Sequence, residues 1–209
     1  MRKLTTIIVC LLLTVPALAQ QVIVAKKKSG STPLTRTDNF NRASENPLVT
    51  GWTTVSSAEF ADMQLAGTDY VTGTDTSGDF AAYWDGDSFA ANQFSAVEAT
   101  GQNLGVIVRV NSNAMYLFRR TTSGTFQMWK MPGWNQLGAD YTGVSFSDGQ
   151  IIRLEATGTG TVTLTPIVNG VTLATRTDSS SALDSGGVGI YCSHNAPTSI
   201  LDNWAGGEL

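Results

Sequence analysis

Short stretches of alternating apolar and polar residues run along the chain from residue 38 to its end. Residues 104–110 give the clearest example, because an apolar side chain stands at every second position. A two-residue repeat places alternate side chains on opposite faces of a β-strand, so these stretches predict strands with one buried face. In residues 104–110 the buried face is predicted to hold Leu104, Val106, Val108 and Val110, and the opposite face Gly105, Ile107 and Arg109.

Turn signals separate these stretches at regular intervals. Asn169-Gly170 lies between two apolar runs, and both residues tolerate the positive φ angles of a two-residue type I′ turn, so a hairpin is predicted there. Pro166 cannot donate to a strand ladder and therefore marks an edge or a bulge. No stretch has a helical period. The pattern predicts an all-β, two-sheet antiparallel sandwich of the jelly-roll type, with about a dozen strands.

Two similar segments bracket this region. Residues 38–42 read Asp-Asn-Phe-Asn-Arg, and residues 201–207 read Leu-Asp-Asn-Trp-Ala-Gly-Gly. A single sandwich usually places its first and last strands side by side, so we expect these segments to pair and to close one domain over residues 38–209.

The first 19 residues have a different character. Arg2 and Lys3 precede an apolar run over residues 4–13, and small residues lead up to Ala19. This order is typical of a secretory signal peptide, with cleavage expected after Ala19. The run is shorter than the roughly 20 residues that cross a bilayer, so no transmembrane anchor is expected. The protein is predicted to be secreted, periplasmic or held in the cell envelope.

Residues 20–37 contain Lys26-Lys27-Lys28 and Ser29-Gly30-Ser31 without any periodicity, which predicts a flexible linker. Cys192 would be the one cysteine left after cleavage, so the exported domain is expected to fold without an internal disulfide.

The charge of the chain bears on its partners. Removing Arg2 and Lys3 from the 13 basic residues leaves 11 against 17 acidic ones. Three of those 11 form the Lys26–Lys28 run, so the predicted domain lacks the basic surface that a phosphate backbone requires. Nucleic acid is therefore not expected as a partner.

Several of these segments resemble the concanavalin A-like lectin/glucanase superfamily, in particular the laminin-G-like jelly-roll domains of secreted bacterial proteins. The resemblance covers residues 38–209 and is carried by Asp38-x-Phe40-x-Arg42, Trp52, residues 105–110, Tyr116-Leu117-Phe118, Val168-Asn169-Gly170-Val171, Gly187-x-Gly189-Ile190 and Leu201-Asp202-Asn203-Trp204. It implies the sandwich fold. It does not imply one activity, since the superfamily includes lectins, carbohydrate-binding modules, glucanases, lyases and adhesion domains.

The catalytic motifs of that superfamily are not intact in this sequence. Its laminarinase-type glucanases share Glu-x-Asp-x-x-Glu, and residues 59–64, Glu-Phe-Ala-Asp-Met-Gln, depart from that spacing. Its alginate lyases share Arg-x-Glu-x-Arg with Gln-x-His, of which only Arg153-Leu154-Glu155 has a counterpart. No catalytic residue is therefore predicted, although Glu98 and Glu155 stay open as a carboxylate pair.

A binding role has more support, because tryptophans stand at predicted turns beside polar residues. Flat aromatic rings can stack on the C–H faces of sugars, while amides and carboxylates bond the hydroxyls; core packing is the alternative role. If the face opposite the apolar one is concave, Arg109, Tyr116 and Trp129 would line a shallow groove. The predicted ligand-binding residues are Trp84, Asp85, Asp87, Arg109, Tyr116, Trp129, Trp134 and Asn135.

The resemblance also implies a structural calcium ion, although no cofactor is required. Asp38 and Asp202 would meet if the terminal strands pair, and their oxygens suit Ca²⁺. The sequence thus favours a secreted, non-catalytic, lectin-like module that binds a glycan or polysaccharide. Two alternatives stay open: a glycoside hydrolase or polysaccharide lyase of the same fold, and a cell-surface structural or adhesion protein that binds other surface proteins.

Overall fold

The computed structural model describes residues 32–55, 57–67, 69–75, 78–193 and 199–209. The predicted signal peptide and the predicted linker up to residue 31 lie outside the described residues. Across the described part of the chain, no helix has the length and apolarity that crossing a membrane would require. The strands of the described residues are β1 Thr35–Asp38, β2 Trp52–Thr54, β3 Phe60–Ala61, β4 Met63–Ala66, β5 Tyr70–Gly73, β6 Asp79–Trp84, β7 Gln93–Thr100, β8 Leu104–Asn111, β9 Ala114–Arg120, β10 Phe126–Met131, β11 Asn135–Gln136, β12 Gln150–Thr157, β13 Val162–Val168, β14 Val171–Thr172, β15 Arg176–Asp178, β16 Gly187–Ser193 and β17 Ile200–Glu208.

These strands form two sheets that pack face to face. The nine-stranded sheet has the order β14-β13-β12-β7-β17-β5-β4, with β1 beside β17 and β15 beside β13. The eight-stranded sheet has the order β11-β10-β9-β8-β16-β6-β2, with β3 beside β6. All pairings are antiparallel except that of β3 with β6. The predicted two-sheet sandwich is confirmed, and the strand count exceeds a dozen because β3, β11 and β14 have only two residues each, too few to show a period.

The first and last strands are neighbours, as predicted, but of the predicted segment 38–42 only Asp38 lies in the first strand. Strand β1 pairs with β17, with Asp38 opposite Trp204 and Thr35 opposite Gly207. The strand begins within the predicted linker, so residues 35–37 belong to the sheet. Its sequence, Thr-Arg-Thr-Asp, contains no apolar residue, and for that reason the hydrophobic repeat did not reveal it.

The predicted hairpin at Asn169-Gly170 is confirmed: both residues have positive φ, 48° and 78°, and Val168 pairs with Val171. Pro166 lies on β13, whose outer edge is covered by β15 over residues 162–164 and by β14 over residues 167–168. The proline falls in the gap between these two short strands, where the ladder requires no N–H donor.

A buried hydroxyl links the two sheets through the apolar layer between them. Ser95 on β7 donates to the Gly189 carbonyl on β16 (2.6 Å) and accepts from the Trp204 indole Nε1–H on β17 (3.0 Å). Trp204 packs edge-on against Trp52, with 4.7 Å between ring centroids, and Phe40 lies against Trp52. Phe40 and Trp204 thus point inward from the two ends of the domain.

A bulge in β8 reverses the predicted alternation. The pairing of β8 with β9 shifts register between Val108 and Asn111, and Arg109 has a φ of 58°. This turn of the backbone sends the Arg109 side chain into the interior, where it is fully buried. Val110 then points to the outer face, where it joins a second apolar cluster with Ile107. The predicted faces of Arg109 and Val110 are therefore wrong.

Candidate functional site

Four aromatic side chains gather on the outer face of the eight-stranded sheet. We call Phe60, Trp129, Trp134 and Tyr191 the aromatic platform. Trp134 lies 5.7 Å from Trp129, 6.3 Å from Phe60 and 6.4 Å from Tyr191 between ring centroids. Trp129 and Trp134 are half-buried, while Phe60 and Tyr191 are buried beneath them. The two tryptophans therefore present the accessible surface of the platform.

The strand pattern explains why Trp129 and Trp134 meet. Trp129 points outward from β10, since its neighbour Met128 belongs to the core between the sheets. Strand β11 folds back on β10, with Gln136 opposite Trp129. Trp134 lies in the turn between them with a positive φ of 49°, which places its indole over the face of the sheet.

Phe60 reaches the platform from the opposite lateral end of the same sheet. It lies on β3, next to β6, and four strand spacings separate β6 from β10. At about 4.8 Å per spacing, that distance is roughly 19 Å along the sheet. Since the Phe60 and Trp134 rings are only 6.3 Å apart, the two flanking segments fold toward each other over the face.

Two glycines allow the strands beneath the platform to approach each other closely. In the strand register Gly105 lies between Tyr191 and Arg119, and Gly189 lies between Tyr83 and Ile107. A Cβ atom at Gly105 would collide with the Phe118 carbonyl, and one at Gly189 with the Ala82 carbonyl. The close approach of the strands thus requires glycine at both positions.

The guanidinium of Arg119 lies at the centre of the platform. Its carbon Cζ is 5.1 Å from the centroid of Trp134, 5.5 Å from Trp129 and 5.9 Å from Tyr191. A cation over aromatic faces at such distances is attracted by the negative face of each ring. Arg119 also donates to the Tyr191 hydroxyl (2.9 Å) and to Gln127 Oε1 (3.2 Å). It therefore fixes the rings relative to one another.

Hydrogen bonds extend from Arg119 to a carboxylate on each side. Tyr191 donates to Asp79 Oδ1 (2.6 Å), and burial raises the pKa of Tyr191 so that it stays a donor. Gln127 accepts from the Trp129 indole Nε1–H (3.1 Å) and donates to both oxygens of Asp140 (3.1 Å each). The network preorganises the platform, because Arg119, Tyr191 and Gln127 each make two or more hydrogen bonds.

Polar side chains border the two tryptophans. Gln136 is exposed and donates to Asp140 Oδ1 (2.6 Å). Asn135, also exposed, donates to the Pro132 carbonyl (3.1 Å) and keeps its own side-chain oxygen available. This arrangement can hold a flat apolar face against an indole while amides and a carboxylate bond polar groups at its rim.

The structure brings together only part of the predicted binding set. Trp129, Trp134 and Asn135 lie at the platform. Arg109 and Tyr116, predicted to line the same groove, are instead fully buried between the sheets. Arg109 donates to the carbonyls of Leu183 (2.5 Å) and Gly158 (2.8 Å), a bonding pattern that follows from the bulge and excludes a surface role.

Trp84, Asp85 and Asp87 lie elsewhere, at the end of β6. Trp84 stacks on Trp204 with 5.7 Å between centroids and donates to Asp87 (2.9 Å). Asp87 pairs with Arg36 of β1 (2.7 Å), which holds the pKa of the carboxyl below its usual value. Asp85 accepts from the Thr53 hydroxyl. The Arg36–Asp87 pair joins β1 to the end of β6, and all of these contacts use groups that were predicted to bind a ligand.

The shared calcium ion stays a prediction, and both of its predicted residues have hydrogen-bond partners within the chain. Both oxygens of Asp38 accept from N–H donors, namely the Phe40 amide, Arg42 and the Trp52 indole. Asp38 lies opposite Trp204, not Asp202. Among the described residues, no group of three or more His, Cys, Asp or Glu side chains is placed to hold a metal. Burial raises the pKa of Asp202, and the nearby charges of Glu98, Asp69 and Asp38 add to that shift.

The backbones of Glu98 and Glu155 are farther apart along the strands than the carboxyl groups of a catalytic pair. Glu155 lies opposite Phe94, four residues along β7 from Glu98. Four residues of strand span about 13 Å, beyond the roughly 5–9.5 Å of glycosidase carboxylates. Glu155 also pairs with Arg153 (2.8 Å).

Sequence reasoning did not single out five residues of this site: Phe60, Arg119, Gln127, Asp140 and Tyr191. One usable signal was present. Arg119 on β9 and Gln127 on β10 alternate with core residues and come together once the two strands form a hairpin. Asp140 lies in an irregular segment between β11 and β12, for which a repeat of two has no predictive value.

Comparison with known proteins adds similarity of fold. No protein-family model and no curated protein sequence matches the chain. Solved structures that align with it include the exoplasmic/lumenal domain of VIP36 in a Ca²⁺- and Man3GlcNAc-bound form, with 9% identity, a TM-score of 0.49, and coverage of 76% of this chain and 83% of that one. Peanut lectin aligns with 10% identity, a TM-score of 0.48, and coverage of 83% and 97%.

A tail fiber protein of an E. coli phage aligns with 15% identity and a TM-score of 0.39, over 58% of this chain. The chain spans only 16% of that fiber chain and 17% of a sialidase that also aligns. At these scores the likenesses carry no conclusion about this chain. The architecture itself rests on the two sheets described above.

Proposed function

We propose that this chain is a secreted, non-catalytic, lectin-like module that binds a glycan through Trp129 and Trp134. The observation that carries the proposal is the pair of half-buried indoles, held in place by Arg119 and bordered by amides and a carboxylate. A pyranose ring has an apolar C–H face and a rim of hydroxyls, so it matches a flat aromatic surface with polar groups at its edge. The separation of Glu98 from Glu155 favours binding over hydrolysis.

The orientation of the indoles defines how a ligand would be held. The Trp129 N–H is occupied by Gln127, so the ligand meets the ring face and not the ring edge. Asn135 and Gln136 are exposed at the adjacent turn and supply donors and acceptors for hydroxyls. A sugar unit stacked on either ring would therefore lie within reach of the polar border.

Affinity gel electrophoresis of the full chain in gels containing soluble polysaccharides tests the proposal. Wild-type protein should be retarded by at least one of them. Trp129→Ala and Trp134→Ala should each weaken that retardation by about tenfold or more, as the loss of a central aromatic contact does. Tyr70→Ala, which removes a half-buried aromatic ring from the other sheet, is the matched control and should leave it unchanged. Equal retardation of all three variants would contradict the proposal.

A further inference from the structure

We propose that the aromatic platform selects uncharged glycans and rejects glycans that carry carboxylate or sulfate groups. This inference rests on the proposed function and specifies its class of ligand. Three observations carry it: the contacts that already engage Arg119, the lack of a cationic partner for Asp140 among the described residues, and the charge of the surrounding domain.

Arg119 is already engaged through both of its terminal nitrogens. Three aromatic rings surround its guanidinium, and two of its nitrogens already donate to Tyr191 and Gln127. Its third nitrogen, Nε, is buried without a hydrogen-bond partner, so a ligand in solution cannot reach it. An anionic sugar would have to share this cation with three aromatic rings and two hydrogen bonds that already stabilise its charge.

Asp140 places a negative charge at the rim of the platform. Its oxygens accept from Gln127, Gln136 and Thr125, all of them uncharged donors. Within the described part of the chain, no Lys or Arg lies at ion-pair distance from this carboxylate. An ionised carboxylate is an acceptor only, so it has no donor for a uronate or a sulfate and repels both.

The rest of the domain reinforces this preference. All 17 acidic residues of the chain lie within residues 32–209, whereas five of its 13 basic residues, Arg2, Lys3 and Lys26–Lys28, precede that range. The remaining eight cations are outnumbered by two to one. The summed potential of the domain therefore opposes the approach of a polyanion.

Matched polysaccharide pairs that differ in charge test the inference. Hydroxyethyl cellulose with carboxymethyl cellulose, and dextran with dextran sulfate, keep the backbone constant within each pair. We expect the wild-type chain to bind the uncharged member of at least one pair about tenfold more tightly than its charged counterpart, the scale that like-charge contact produces. Equal or tighter binding of the charged member would overturn the inference.

Two variants test whether the platform is the source of the preference for uncharged polysaccharides. Asp140→Asn should lower severalfold the ratio of the affinity for the uncharged polysaccharide to that for its charged counterpart. The change should come mainly from tighter binding of the charged polysaccharide, because an amide keeps the shape of the carboxylate without its charge. Asp69→Asn removes an exposed carboxylate from the loop before β5 and should leave the ratio unchanged. An unchanged ratio in Asp140→Asn, with thermal melting confirming a folded variant, would contradict the role of Asp140.

The outcome for the proposed function is separate. If Trp134→Ala abolishes binding while the wild-type chain does not discriminate by charge, the binding site stands and the selectivity inference fails. If the wild-type chain binds none of the four polymers, and retardation is also absent in the wider set of soluble polysaccharides, the proposed function fails and the inference with it.

Discussion

The Tyr116 hydroxyl donates a 2.7 Å hydrogen bond to Asp178 Oδ2 and accepts one of 2.9 Å from the Leu183 amide. Lys130 pairs with the same carboxylate at 2.7 Å. Burial alone would raise the pKa of Asp178, but the hydrogen bonds from Lys130 and Tyr116 lower it below its usual value. Together with Arg109, which donates to the Leu183 carbonyl, these groups fix the segment between β15 and β16 against the interior of the sandwich.

Tyr116→Phe should therefore destabilise the domain by about 1–3 kcal/mol, because it leaves a buried carboxylate oxygen and a backbone N–H without one of their partners. Urea unfolding followed by circular dichroism measures the change. Tyr141→Phe, which removes the hydrogen bond to the Ala174 carbonyl, is the matched control and should lower the free energy of unfolding by less. A cost for Tyr116→Phe no greater than that of the control would contradict this account.

Glu45 should contribute to stability above about pH 4.5 and lose that contribution on acidification. Burial opposes its ionisation, but hydrogen bonds from Arg42, Thr50 and the Val49 amide lower the pKa of Glu45 to about 2. A carboxyl whose pKa is lower in the folded state stabilises the fold when ionised, and this stabilisation disappears as the pH falls from the unfolded pKa toward the folded one. Because solvent screens the pair, we expect on the order of 1 kcal/mol.

Urea unfolding at pH 7 and pH 3 checks the Glu45 prediction. Glu45→Gln should lose stability at pH 7 and should show a smaller difference between the two pH values than the wild-type chain. The same pH dependence in both proteins would show that Glu45 does not titrate as described.

Gly189→Ala should destabilise the domain by about 3 kcal/mol or more, since the added methyl would overlap the Ala82 carbonyl of the neighbouring strand. Gly124→Ala provides the comparison. That glycine has a φ of 80° but open space around it, so its substitution should cost only about 1 kcal/mol. Thermal melting of the two variants should rank them in this order, and the reverse order would contradict the close strand approach at Gly189.

Arg119→Met should loosen the aromatic platform while leaving the sandwich folded. Three cation–π contacts are lost, each worth about 0.5–1 kcal/mol near a surface, and the near-ultraviolet circular dichroism of the tryptophans should weaken. Arg153→Met is the matched control, because Arg153 lies 3.7 Å from the Phe94 ring on the opposite sheet and contacts no tryptophan in the platform. An unchanged tryptophan signal in Arg119→Met would exclude a positioning role for Arg119.

The sequence predicts the architecture of this domain well because a repeat of two residues is a direct record of one buried face. Residues 104–108 follow that repeat, and the Asn169-Gly170 turn follows from the φ angles those residues tolerate. The prediction fails at Arg109, where one residue with positive φ inverts the faces beyond it. A bulge of this kind depends on the partner strand, so a single strand does not reveal it.

The site is less predictable for a related reason. Tryptophans stand out by residue type, so Trp129 and Trp134 could be proposed, but so could Trp84, which packs on Trp204 in the core. Whether an aromatic ring faces solvent or core depends on neighbours distant in sequence. Tyr191 reaches the site through the strand order and Asp140 through the fold of an irregular segment, and a list of residue types carries neither.

The contact between Phe60 and Trp134 determines the stage of folding at which the platform forms. These residues come from opposite lateral ends of one sheet, and one of the strands between them, β16, comes from residues 187–193. Contacts with such long sequence separation form only after the chain has closed large loops. The binding surface therefore exists only once the final strands are in place, and a truncated or partly folded chain would not display it.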